Sequence, residues 1–193
     1  MHSNSLSAPA GPHAGGSWHA VAKFLHWLIA LLIAAQFVLG WMAVSWHLSP
    51  TKLDLFVWHK SNGMLVLALV AFRLLWRLTH AAPALPADMP AWERFAAHLS
   101  HALLYLVMIA MPLTGWVVSS AAGVPFSIYW QIPLPAIVPP DEHTADVAAT
   151  IHFSLGIALV ALLVLHVGAA LRHHFVKHND VLKRMLPARK TSP

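Results

Sequence analysis

The chain has 193 residues, 58% hydrophobic and only 10% charged, which excludes an ordinary soluble domain and points to a single integral membrane domain. It contains no cysteine, so disulfides, iron–sulfur clusters and thiol catalysis are excluded. The net charge of +5 arises from Lys and Arg near the ends of apolar blocks, a pattern of membrane orientation and not of nucleic-acid binding.

Residues 1–20 are Ser, Ala, Gly, Pro and His without an apolar core, and read as a disordered extension lacking the hydrophobic centre of a signal peptide. The first span is expected at Phe24–Val44, interrupted only by Gln36 and Gly40. Trp41 and Trp46 mark its far end, and Ser49-Pro50 opens a short loop. A second span runs from about Leu55 to Leu78, with His59 and Lys60 near one end and Arg73, Trp76 and Arg77 near the other. A Pro/Ala linker (81–90) leads to a third span that opens at Trp92 and Glu93 and continues to about Ser120. His98 and His101 stand one turn apart near its start, and Pro112 with Gly115 predicts a kink. Residues 121–147 are too long and proline-rich for a turn, yet apolar and aromatic, so they are expected to cap the membrane interface. The fourth span covers Ile151–His174, and a basic tail follows. The domain is therefore drawn at 21–187, with 188–193 as a basic terminal stretch.

Four spans place both termini on one side. That side would carry Lys23, Arg73, Arg77, Arg94, Arg172, Lys177, Lys183, Arg184, Arg189 and Lys190, and the other only Lys52 and Lys60. Ten cations against two put the termini in the cytoplasm. The expected fold is an all-α bundle of four transmembrane helices.

The fourth span carries His152 and His166, fourteen residues apart, hence on one helix face and separated by about 21 Å in depth. Ionisable groups inside a membrane are costly and are functional candidates by default. Topology then sorts depths. His26 begins the outward first span and shares the inner level with His166; His59 begins the inward second span and shares the outer level with His152. Two imidazoles from facing helices at each level suit the axial positions of a haem iron, whereas zinc would gather three or four ligands at one level.

Glycines repeat the histidine register. Gly63 and Gly156 lie one turn after His59 and His152, and Gly40 and Gly115 lie fourteen residues after His26 and His101. Room for a bulky planar group is one reading, and close helix packing the other. Arg73 lies fourteen residues after His59, so it reaches the inner level on the ligand face. A haem propionate would meet its need for an anion, and snorkelling to the interface would be the alternative.

The stretches H-W at 26–27, W-H-K-S-N-G at 58–63, R-L-x-W-R at 73–77 and A-H-L-x-H-x-x-L-Y at 97–105 resemble the bacterial cytochrome b561 family. So do M-P-L-x-G at 111–115, I-H-x-x-L-G at 151–156 and L-H-x-x-A-A-L-x-H-H at 165–174, extending the similarity over residues 20–187. The resemblance implies a four-helix bacterial inner-membrane cytochrome with two b-type haems, ligated at positions matching His26, His59, His152 and His166. It further implies exchange with the quinone pool. In some members superoxide is oxidised at the outer face and ubiquinone is the acceptor, which makes Lys52 and Lys60, beside His59, candidates for guiding the anion. His98 and His101 match family positions and are expected to hydrogen-bond a propionate or a quinone.

Rival readings are a haem subunit passing electrons within a larger oxidoreductase such as a hydrogenase, a His-rich metal transporter, and a membrane di-iron desaturase suggested by His98-x-x-His101 and His173-His174. The last would need about eight ligands on one side of the membrane, which the outer positions of His59 and His152 disfavour. The remaining histidines are assigned interfacial or loop positions.

Overall fold

The structure, a computed structural model, describes residues 16–86 and 89–186. Four long helices dominate it: α1 (Ala20–Ser45), α2 (Pro50–Thr79), α3 (Ala91–Ala121) and α4 (Glu142–Phe175). All four are long and apolar enough to cross a membrane. Large apolar side chains such as Leu31, Leu106 and Val164 are exposed along their outer faces, as suits lipid and not water. α1 packs along α2, α2 against α3, and α3 along α4.

The buried core is an apolar layer made by Ile29 and Ile33 of α1, Val66 and Val70 of α2, Leu104 and Val107 of α3, and Leu159 of α4. Leu159 stands midway between His152 and His166 in sequence, and the other six fall between the two histidine levels of their own helices. This plug thus separates two polar levels, one toward the α1–α2 loop and the hairpin, labelled outer, and one toward the described ends of the chain, labelled inner.

Each span is longer than its apolar block. α2 starts at Pro50, with the Ser49 hydroxyl accepting the Lys52 amide and a proline in the first turn, where no donor is missed. α4 begins nine residues before Ile151, because the Asp141 carboxylate accepts the Thr144 amide at 2.7 Å and Glu142 favours the positive helix start. The Thr144 contacts also hold the Asp141 carboxyl below its ordinary range. Helix α3 is continuous through Pro112.

The expected cap is shorter than 121–147 and contains strand structure absent from the sequence reading. β1 (Phe126–Ile128) and β2 (Ile132–Leu134) pair antiparallel. Their tip residues Tyr129 and Trp130 take left-handed φ values of 46° and 61°, a conformation costly for bulky residues. The tip is pinned from outside: Ser61, fully buried on α2, accepts the Tyr129 amide at 2.8 Å, and Trp58 meets both aromatic rings edge-on.

Of the expected N-terminal extension, residues 1–15 lie outside the described residues. Residues 16–19 run as coil against the end of α2, where His19 meets Trp76 and His80 edge-on. The tail folds back as a 3₁₀ turn (Lys183–Met185), and Trp27 donates to the Met185 carbonyl at 3.0 Å. Residues 187–193 lie outside the described set.

A further knot ties the start of α3 to the end of α4. Glu93, nearly buried, accepts from Arg172 at 2.9 Å and faces Lys177 at 3.5 Å and His173 Nε2 at 3.8 Å. Removing the anion strands several basic groups together, whereas removing Arg172 leaves Lys177 in place. Thermal unfolding should therefore drop further for Glu93→Gln than for Arg172→Gln. Equal drops would mean that the carboxylate is not the centre of the knot.

Candidate functional site

At the outer level α2 and α4 bring His59 and His152 together, with ring centroids 6.3 Å apart and planes at 78°. His152 Nδ1–H is held at 3.0 Å from the Met111 carbonyl and 3.1 Å from Thr114 Oγ1. The Thr114 hydroxyl itself donates to the same carbonyl at 2.8 Å. This network assigns the proton of a neutral ring to Nδ1 and leaves Nε2 bare as an electron-pair donor. Such a partner behind the ring is the usual way a ligating histidine is oriented. Across the gap, His59 Nδ1 is buried and has no hydrogen-bond partner among the described residues.

Two of the four registered glycines lie directly on these rings. A Cβ at Gly40 would meet His59 Cε1 at 3.0 Å, and one at Gly115 would meet His152 Cε1 at 3.2 Å. The other two serve helix packing: a Cβ at Gly63 would meet Gln36 Nε2 at 3.1 Å, and one at Gly156 only Met111 Cε at 3.9 Å. Gln36 was visible in the sequence merely as an interruption of an apolar run. It donates to the His59 carbonyl at 3.0 Å and accepts from Asn62 at 3.3 Å, fixing the ligand-bearing turn of α2 to α1.

At the inner level His26 of α1 and His166 of α4 lie with centroids 6.1 Å apart. His101 of α3 joins them, 5.2 Å from His166, whereas His98 is exposed and touches none of the three. Arg73 spans the same level. Its Nε donates to the Tyr105 hydroxyl at 3.0 Å and its Nη1 to the Ala22 carbonyl. Ala22 is one turn from His26 and Tyr105 one turn from His101, so the guanidinium braces two histidine-bearing helices at once.

The ring spacing tests what such pairs can hold. An imidazole nitrogen sits about 2.0 Å from a bound transition metal and about 1.1 Å from its own ring centre, so two axial imidazoles on one iron have centres roughly 6 Å apart. Both pairs have that spacing. The bare Nε2 of His152, the unpartnered Nδ1 of His59 and the glycines beside both rings fit axial ligation of a flat macrocycle. Among the described residues no group of three or more His, Asp or Glu side chains is placed to share one ion.

The two outer lysines differ in setting. Lys52 donates to the Val44 and Trp46 carbonyls at 3.3 and 2.9 Å, closing the end of α1. Lys60 lies over the Phe126 ring of the hairpin, 5.6 Å from its centre. Sequence reasoning missed Thr114 and the Met111 carbonyl, although both lie in the M-P-L-T-G stretch; nothing local shows that a backbone oxygen there faces another helix.

The prokaryotic cytochrome b561 family matches residues 17–188 of the chain. Cytochrome b561 homolog 2 of Escherichia coli K12 is 35% identical over 173 residues, which are 86% of this chain and 89% of that protein. Homolog 1 of the same organism is 31% identical over 171 residues, 86% of this chain and 95% of its own length. A protein of Yersinia pestis named probable superoxide oxidase CybB is 26% identical over 169 residues, covering 86% of this chain and 93% of that one. With four apolar spans, paired intramembrane histidines and a family match over nearly its whole length, the chain belongs to the prokaryotic cytochrome b561 family of haem-binding electron-transport proteins of the membrane.

Proposed function

We propose that the protein is a di-haem b electron-transfer protein of the bacterial inner membrane, with His26 and His166 ligating the inner haem and His59 and His152 the outer. The observation that carries this reading is the spacing of the two pairs, 6.1 and 6.3 Å between ring centres at two separate depths. Bound haem supplies reversible one-electron chemistry. The chain's own contribution is ligation, orientation and an apolar plug between the two levels. Thr114 and the Met111 carbonyl set the ring of His152; Gln36 sets the turn carrying His59; Arg73, already anchored on Tyr105, offers its charge to a propionate at the inner level. His101 is a second inner-level candidate for contact with a propionate or a quinone. The count of ten cations to two supports cytoplasmic termini, and the described ends lie side by side, Ser17 donating to the Arg184 carbonyl.

His59→Ala or His152→Ala should remove the outer low-spin haem from the optical spectrum and leave part of the inner signal. Gly40→Ala and Gly115→Ala should weaken the same signal by pressing a methyl group on a ligand ring. Gly168→Ala, where nothing lies within 4 Å, should leave it intact. Two unaltered six-coordinate haems in His59→Ala would refute the assignment.

For the reaction we infer superoxide:ubiquinone oxidoreduction, supported by the likeness to the Yersinia pestis protein and by the placement of the lysines. Two superoxide anions each lose an electron to become dioxygen; one quinone takes up both electrons and two protons. Lys52 lies seven residues before His59 and Lys60 directly after it, and hydrogen bonds to neutral carbonyls leave the Lys52 charge available. Asp54, Asp141, Glu142 and Asp146 deny the outer face a general pull on anions, so guidance has to be local. In stopped-flow mixing of oxidised protein with superoxide, haem reduction should be fast and should slow with added salt. It should also be impaired in Lys52→Gln/Lys60→Gln. A rate no greater than that of free haem would remove superoxide as the donor.

A further inference from the structure

Where α1 begins and α2 ends, the chain encloses a cavity of about 20 Å³ lined by Trp18, His19, Arg73, Trp76, Arg77 and Tyr105, with His80 beside them. Among the described residues no acidic side chain lines it. Such a space admits about one water molecule or the oxygens of a small anionic group, and is too small for a quinone ring. Arg77 makes no hydrogen bond or ion pair among the described residues. The indole N–H of Trp76 is buried and has no partner among them. That indole is held firmly: it stacks on His80 at 3.9 Å with planes 6° apart, and His19 meets it edge-on at 5.7 Å. Two guanidiniums and one firmly held indole around a space lined by no carboxylate of the described residues are complementary to an oxyanion, and guanidinium forks suit carboxylate and phosphate best.

We propose that this cavity is an oxyanion-binding site, in which Arg77 and the Trp76 N–H, with Arg73 on its inner wall, hold the oxygens of a carboxylate or phosphate group. A lone buried donor carries a desolvation penalty that such a ligand removes. Two sources share this chemistry: a propionate of the group bound between His26 and His166, and a phosphate, free or on a lipid headgroup. The propionate is favoured by Arg73, which borders the cavity while bonded one turn from His26, and this source rests on the di-haem reading.

The test uses the haem-loaded protein in nanodiscs, with Arg77→Gln and Trp76→Phe as variants and haem content and the outer haem's spectrum as controls for folding. If a propionate fills the site, both variants should lower the inner reduction potential and leave the outer one unchanged, because a lost cation or donor no longer offsets the propionate charge. Added inorganic phosphate should then have no effect. If a phosphate fills it, inorganic phosphate, or phosphatidylglycerol in place of phosphatidylcholine, should raise the unfolding temperature of the wild type. At least ten times more phosphate should be needed for the same rise in Arg77→Gln. Lipid dependence without response to inorganic phosphate would assign the headgroup. Unchanged potentials together with no response to phosphate or lipid in the wild type would overturn the site. A protein holding one haem would refute the di-haem reading and leave the phosphate arm standing.

Discussion

The structure depends on one constraint: an imidazole placed at membrane depth must have its ring nitrogens met, because no solvent is there to meet them. At the outer level the bundle answers asymmetrically. His152 has a carbonyl and a hydroxyl behind it, and its bare nitrogen is thereby defined; His59 keeps a buried nitrogen without a partner among the described residues. Much else follows from holding those rings. Glycines lie where any side chain would strike them, and Gln36 spends both ends of its amide on the turn that carries His59.

Between the two histidine levels the buried cluster of the described residues is made of Ile, Val and Leu, with Phe37 and Met108 packed against it, and this layer has a double effect. It supplies the interhelical packing of the bundle, and it keeps the two polar levels apart in a medium of low dielectric, where charges interact strongly. The fourteen-residue interval between His152 and His166 is just under four turns, so α4 serves both levels from one face without twisting. Partners come from α2 at one level and α1 at the other, which is why no single pair of helices could build the arrangement.

The bundle's two ends are closed by different means. On the side of the short loop and hairpin, the aromatic tip is fastened to α2 by one backbone hydrogen bond to a buried serine, despite a left-handed turn without glycine. On the side of the termini, Glu93 gathers Arg172, Lys177 and His173, and the chain's two described ends meet over Trp27. The basic residues there thus divide between holding the fold and bordering a small cavity next to the inner site.

The sequence by itself determined the number of spans and the sorting of His26, His59, His152 and His166 into two levels. Those properties follow from hydropathy and helical rise, which are local and regular. The motifs also sufficed for the family. Only the tertiary structure decided how each helix is rotated against its neighbours, since that depends on many side chains packing together. Rotation brought His101 to His166 and left His98 exposed, and it aimed the Met111 carbonyl at His152. It likewise set Gly40 and Gly115 on the rings while Gly63 and Gly156 merely close helix contacts. Glu93 read as an ordinary helix-opening acid, because its partners lie some eighty residues away in the chain and meet it only when α3 and α4 pack.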